Sequence, residues 1–253
     1  MKNADQWRPS KFLLKGERLV INPDRAELGI ASRLVTKVSV EMFNDHLRAN
    51  ARGHLLDLGC GKVPYYELYR DCVSQITCVD WPEGAHGATH VDVEADLAKP
   101  IPLPDSAFDT ILCSSVLEHL PEPSLFWSEL ARLLSPGGNV IMNVPFLYWL
   151  HETPYDFYRH TEYALRRGAE ENDLRLKILQ PVGGGPVVVA DNLAKTLIHL
   201  GWVGRLLARA VQASCDLFRR TPPGRWLTRQ TAPKQPAVYF LIAEKPRSAT
   251  DLG

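Results

Sequence analysis

The chain has 253 residues and carries 29 Lys and Arg against 29 Asp and Glu, a formal net charge of zero at pH 7. That length suits one α/β domain with insertions around a substantial core, and the charge balance argues against nucleic-acid binding through a general basic surface. Five cysteines, an odd number with no C-x-x-C pair, argue for reduced thiols rather than a disulfide framework or a zinc site.

In chain order, residues 1–10 are polar and lack an apolar signal core, so a cytoplasmic location is expected. Trp7 to Pro23 mixes aromatic, basic and proline residues without a clear period. Leu28, Val35, Val38, Met42 and Leu47 then recur at helical spacing, predicting a helix over 27–49. Residues 1–50 therefore read as an N-terminal helical cap, and 51–253 as the main domain. Strands are predicted at 54–58, 75–80, 109–113, 139–144, 175–180 and 237–243, with a weak one at 89–93. Helical segments such as 124–134 fill most intervals, the alternation of a parallel sheet. The tail after Pro246 reads as frayed.

The turn after the first of these sheet strands is the most informative segment. Asp57-Leu58-Gly59-Cys60-Gly61-Lys62-Val63-Pro64 ends an apolar strand in a glycine-rich turn, where ligands bind in open parallel sheets. A dinucleotide fingerprint would continue to a third glycine, and here that position is Pro64. This argues against a nicotinamide oxidoreductase. Pro64 reads as a first helical residue, where its missing N–H costs nothing. Asp80 ends the next strand 19 residues after Gly61, close to the offset at which an acid reaches a ribose diol. A glycine turn and a ribose acid without a pyrophosphate signature point to a nucleoside cofactor without phosphates, and S-adenosylmethionine fits.

Further along come Asp96-Leu97, then Phe108-Asp109 leading to Ser114-Ser115-Val116-Leu117-Glu118-His119-Leu120, and Ser135-Pro136-Gly137-Gly138 before another strand. On this series the sequence resembles class I S-adenosylmethionine-dependent methyltransferases, type 11-like, over roughly residues 54–184. The segment His151 to Thr161 looks like a bacterial subgroup linked to surface-polysaccharide synthesis. The resemblance implies a Rossmann-like, seven-stranded, mostly parallel sheet with helices on both faces and a helical insertion, about 186–230, before the last strand. It implies an S-adenosylmethionine site along Asp57, Gly59, Cys60, Gly61, Asp80, Trp81, Asp96, Leu97 and Ser114. Within it, Asp57 is placed near the methionyl amino group and Asp96 at the adenine amino group. Trp81 either lies against adenine or caps the sheet.

Methyl transfer is governed mainly by approach geometry, and an oxygen nucleophile gains from a base within hydrogen-bond reach. Candidates for that base are His119, His151, Tyr158 and His160, with Tyr155 beside them. Each has a structural alternative: Glu118-His119 ordering a helix start, the tyrosines packing as a lid. Arg159 pairs either an anionic substrate group or Asp156 or Glu152. The Asp and His residues lack a recognisable metal-ligand spacing, so metal-independent transfer to a small or glycan-linked acceptor is expected.

Leu193, Leu197, Leu200, Leu207, Val211 and Phe218 recur at helical spacing, with Trp202 and Leu206 broadening the face. Residues 195–229 hold seven cations against Asp216, a net +6. A basic amphipathic helix of this kind lies on an anionic membrane, covers a substrate or makes a homodimer contact. It is too interrupted by charge to span a bilayer. The alternative to an active enzyme is a non-catalytic module that binds cofactor or a partner through 191–229.

Overall fold

The computed structural model describes residues 1–81 and 87–247; the tail beyond, including the predicted frayed end, lies outside the described residues. The chain opens with a hairpin, β1 (Phe12–Lys15) against β2 (Arg18–Ile21), which the sequence pattern did not signal. The Lys15–Arg18 pairing leaves a two-residue loop whose first member, Gly16, has φ +60°, a value that suits glycine there. Helix α1 (Arg33–Asn50) follows, shorter at its start than the predicted 27–49 because residues 30–32 form a single 3-10 turn.

The main sheet comprises β3 (His54–Leu58), β4 (Gln75–Asp80), β5 (Val93–Glu94), β6 (Phe108–Ser114), β7 (Leu134–Pro145), β8 (Arg175–Val182) and β9 (Val238–Glu244), in the order β5-β4-β3-β6-β7-β9-β8. The strands from β5 to β7 pair in parallel, while β9 runs antiparallel to both β7 and β8. This is the expected seven-stranded, mostly parallel, Rossmann-like architecture. The weak strand placed at 89–93 is in fact the two-residue β5 at 93–94. An edge strand with so few partners needs little apolar sequence to announce it.

The short helix α2 (Tyr66–Tyr69) follows β3, α3 (Pro123–Leu133) precedes β7, and α4 (Glu162–Glu170) precedes β8. Two apolar layers enclose the sheet. One joins Phe43 and Leu47 of α1 to Leu55, Phe240 and Ile242; the other joins Phe126 and Leu130 of α3 to Ile111, Val140 and Leu241. Together α1 and the hairpin belong to the first layer, with Phe12 and Phe43 both against Tyr65. Asp109, part of the family-like series, is structural. Its Oδ2 accepts from His54 N at 2.9 Å and its Oδ1 from Ser135 Oγ at 3.1 Å, pinning β3 to β6.

Between β8 and β9 the predicted single helix over 191–229 is three: α5 (Gly185–Leu197), α6 (Gly201–Phe218) and α7 (Pro222–Thr231). Gly201 at φ +65° breaks the first junction, and Thr221-Pro222-Pro223 restarts the chain with Thr221 Oγ1 accepting from Gly224 N. The face of α6 also differs from the expected one. It buries Gly204, Ala208, Gln212 and Cys215 and exposes Trp202, Leu206 and Leu207. Small residues let α6 approach α5 closely, since a Cβ on Gly204 would overlap the Leu197 carbonyl. Gln212 bridges to α1, accepting from Leu34 N at 2.9 Å and donating to Ile30 O at 2.7 Å. The charge count is likewise partly internal. Lys195 is buried in a pair with Asp191, and Arg219 pairs with Glu41 and Asp216. No helix among the described residues is long and apolar enough to cross a membrane.

Candidate functional site

From β3 the chain steps to β4 and β5 on one side, then returns to β6 and β7 on the other. The carboxyl ends of β3 and β6 therefore flank the switch point where ligands enter such sheets. The glycine turn sits there. Gly59 and Gly61 have φ of +67° and +51°, and a Cβ on Gly59 would overlap Cγ2 of Val116, which follows β6. Only glycine gives both that backbone and that clearance. Val63, a β-branched residue, also has positive φ at 50°. Pro64 was expected to be the first helical residue and is not; α2 begins at Tyr66, and Pro64 belongs to the turn before it.

The residues expected around the cofactor gather along this turn, with differences. Asp80 Oδ2 accepts from Gly61 N at 2.6 Å and Oδ1 from Trp81 N at 2.8 Å. A carboxylate offers about four lone-pair sites, so capacity remains for a diol. Asp57 is buried, with Tyr69 donating to its Oδ2 at 3.0 Å. Burial pushes its pKa up to about 7 against the lowering effect of that hydroxyl. Such a desolvated carboxyl suits a cationic group. Ser114 Oγ donates to Asn143 Oδ1 at 2.7 Å and lies 3.2 Å from the Tyr65 hydroxyl. The side chains of Cys60 and Leu97 point into the two core layers, leaving only their backbones for a ligand. Asp96 caps its own turn, accepting from Ala98 N at 3.0 Å, and lies 3.0 Å from Lys99 Nζ. Burial would raise its pKa, but the amide and the ammonium outweigh it.

Trp81 neither stands alone nor simply caps the sheet; its ring meets Tyr155 edge-on at 5.0 Å. Tyr155 belongs to the segment after β7, which folds back over the strand ends. The Glu118 carbonyl accepts from Phe157 N and Tyr158 N, and the Tyr155 carbonyl lies 2.7 Å from His119 Nδ1. The result is a continuous path from Asp80 through Trp81 and Tyr155 to His119.

His119 and His151 come together there, rings 4.7 Å apart, around the fully buried Glu118. His151 Nε2 lies 3.5 Å and His119 Nε2 3.7 Å from Glu118 Oε1. Burial opposes the charged form of His151, yet Glu118 and Asp156 outweigh it and raise the pKa. Arg159 is engaged internally, donating from both terminal nitrogens to Asp156 at 2.6 and 2.7 Å. That pairing holds the Asp156 carboxyl at about 2, against the opposing effect of burial. The other two candidates are less available. Tyr158 donates its hydroxyl to Pro121 O at 3.0 Å, strapping the segment down. His160 is buried, and desolvation lowers its pKa.

Sequence reasoning missed Glu118 as a site residue and dismissed metal-type clustering. Its signal was present: an acid four residues past an apolar strand's end, in a segment with three large aliphatics. Its partner His151 lies in another element, beyond the reach of spacing arguments.

The fold and this crevice define an α/β enzyme of the class that uses a nucleoside cofactor at the first strand's glycine turn. The methyltransferase domain family matches residues 56–142. A probable S-adenosylmethionine-dependent methyltransferase of Mycolicibacterium smegmatis is 30% identical over 247 residues, covering 88% of this chain and 93% of that protein. The ubiquinone biosynthesis O-methyltransferase of Xanthomonas oryzae pv. oryzae is 31% identical over 117 residues, 42% of this chain and 47% of its own. Among solved structures, an S-adenosylmethionine-dependent methyltransferase from Archaeoglobus fulgidus superposes with a TM-score of 0.52 at 16% identity, covering 81% of this chain and 92% of that one. The [4+2]-cyclase SpnF gives 0.55 at 18%, covering 84% of each, so this likeness speaks for the fold alone. The chain belongs to the S-adenosylmethionine-dependent methyltransferases. It is an enzyme of that family, and S-adenosylmethionine is its cofactor.

Proposed function

We propose that the acceptor is a small or glycan-linked hydroxyl compound, methylated at oxygen. The observation that carries this reading is the Glu118–His119–His151 group beside the glycine turn. A hydroxyl must shed its proton during transfer, and this group gathers a carboxylate and two imidazoles that can assist its ionisation. When bound, the cofactor supplies a methyl group already activated by its sulfonium. Asp80 would hold the ribose diol, Asp57 the amino end, and Asp96 with the backbone at Leu97 the adenine edge. His119 donates its Nδ1–H to the Tyr155 carbonyl, so its Nε2 carries the lone pair that faces Glu118; this tautomer follows from the hydrogen-bond geometry. Trp81 and Tyr155, in edge-on contact, would line the entrance to the crevice.

The partial likeness to a ubiquinone O-methyltransferase supports oxygen as the target. The surface-polysaccharide setting rests on the resemblance of residues 151–161. The test is mass spectrometry of a panel of sugar, phenol and amine acceptors incubated with enzyme and S-adenosylmethionine. Gain of one methyl on hydroxyl compounds alone supports the reading, whereas methylation confined to amines overturns it.

A second reading concerns the α5–α7 insertion. Trp202, Leu206, Leu217 and Trp226 are exposed, and Arg205, Arg225 and Arg229 stand among them. That combination suits contact with an anionic membrane face from the cytoplasmic side, or with a second copy of the chain.

A further inference from the structure

Glu118 poses a problem that hydrogen bonding within the chain does not solve. Its side chain is 0% exposed, and neither carboxylate oxygen has a hydrogen-bond partner among the described residues. A buried carboxylate left so is costly unless something compensates it. Two imidazoles face it, yet at 3.5 and 3.7 Å they stand well beyond the roughly 2.8 Å of a charge-assisted hydrogen bond. The distances suit another arrangement. Two ligands about 2.1 Å from one ion are about 3.4 Å apart at the tetrahedral angle. The three donor atoms, one from each residue, all lie within 4.8 Å of one another.

The outer nitrogens carry the argument further. His119 Nδ1 lies 2.7 Å from the Tyr155 carbonyl, and His151 Nδ1 lies 3.3 Å from both Asp156 Oδ2 and the Trp149 carbonyl. Each ring thus has an acceptor for its Nδ1–H, which leaves the Nε2 lone pair directed at Glu118. His119 Nε2 is itself buried without a hydrogen-bond partner. Outer N–H groups tied to a carbonyl and to a carboxylate are the usual support of histidine ligands. Asp156 is in turn clamped by Arg159, so the His151 support is itself rigid.

We propose that Glu118, His119 and His151 bind one divalent first-row metal ion of the zinc, cobalt or manganese kind. Two imidazoles disfavour magnesium and calcium, which take oxygen ligands. Three protein ligands leave a position open. Glu152 Oε2 lies 3.9 Å from His119 Nε2. An acceptor hydroxyl bound there would ionise more readily: its O–H bond breaks, the electron pair stays on oxygen, and the proton passes to water. The use of the ion in methyl transfer rests on the hydroxyl reading above; its binding does not.

The experiment is therefore a binding measurement. Full-length protein stripped with EDTA is titrated with Co2+ and followed by visible absorption, with Zn2+ titrated calorimetrically in parallel. One equivalent of Co2+ should give a ligand-field band. That band should be lost in E118Q and H151Q, kept in H199A on the outer surface, and reached in D156N only at about 10- to 100-fold higher Co2+. Circular dichroism checks that each variant folds. Should one not fold, proton NMR of the cobalt-loaded wild-type protein decides: a pair of strongly shifted, exchangeable imidazole N–H signals identifies two rings bound through Nε2. Folded wild-type protein that takes up no stoichiometric ion, or binds without those signals, overturns the site and leaves a histidine–carboxylate ion pair in its place. Hydroxyl methylation by metal-free enzyme would leave the binding result standing and remove only the ion's role in transfer.

Discussion

The crevice above β3 and β6 and the outer face of α6 and α7 treat water in opposite ways. In the crevice, polar groups are withdrawn from solvent: Asp57, Glu118 and Asn143 are all buried. On α6 and α7, large apolar groups are left in solvent, with Trp202 73% and Trp226 63% exposed. The first region departs from a simple core because ligands must be held there. The second departs from a simple surface because α6 spends its small residues on close packing and turns its large ones outward. The crevice, however, is built from strand ends that the whole sheet fixes, whereas the outer face can change without disturbing the sheet.

Substitutions should reveal that asymmetry. The largest effect is expected at Gly59, where alanine must adopt a left-handed backbone and overlap Val116. About 1–2 kcal/mol of backbone strain adds to about 1–3 kcal/mol of overpacking. G59A should lower the melting temperature and weaken S-adenosylmethionine binding together, and unchanged values in both would place the turn elsewhere.

Next comes pH. Asp57 titrates near 7 when folded, above its unfolded value, so the folded state holds the extra proton between about pH 4 and 7. Its contribution to stability is full below that window and falls as pH rises through it, by up to about 4 kcal/mol. Urea titrations across this range should show the slope in wild-type protein and its loss in D57N. A bound ammonium would favour the ionised carboxyl, so cofactor binding should release a proton in the same window.

A smaller effect is expected at Asp80. D80A should weaken cofactor affinity by about 1.5–3 kcal/mol, the range for hydrogen bonds to charged groups. Calorimetry with S-adenosylhomocysteine reads this directly, and equal affinities would move the ribose anchor to another residue. Smallest of all, W202A and W226A should change stability by no more than about 0.5 kcal/mol. The same pair should reduce flotation with anionic liposomes if the outer face meets a membrane; wild-type protein that does not float even at low salt would remove that reading.

What the sequence disclosed follows from range. The sheet and its glycine turn were legible because strand apolarity, a turn and a terminal carboxylate all act within a few residues. The hairpin over 12–21 was equally local, with Gly16-Glu17 as its turn, but the surrounding basic residues masked its alternation. The α6 face was misread because periodicity records where large apolar residues lie, not whether glycine and alanine will claim the packed side. Pro64 was misread because a turn with Val63 at positive φ delays the helix by two residues. The cluster around Glu118 required the chain after β7 to fold back, which no spacing encodes.

The position of β9 carries a consequence for how the molecule is made. It lies between β7 and β8, although it follows both in the chain. Until Val238–Glu244 emerges from the ribosome, β7 presents an open edge, β8 has no neighbour, and the layers that receive Phe240 and Ile242 cannot close. The nascent chain must therefore carry an unfinished sheet while the three helices of the insertion are synthesised, a period in which exposed strand edges invite wrong pairing. Pairing of β9 with β7 and β8 is thus a late, long-range event in completing the sheet.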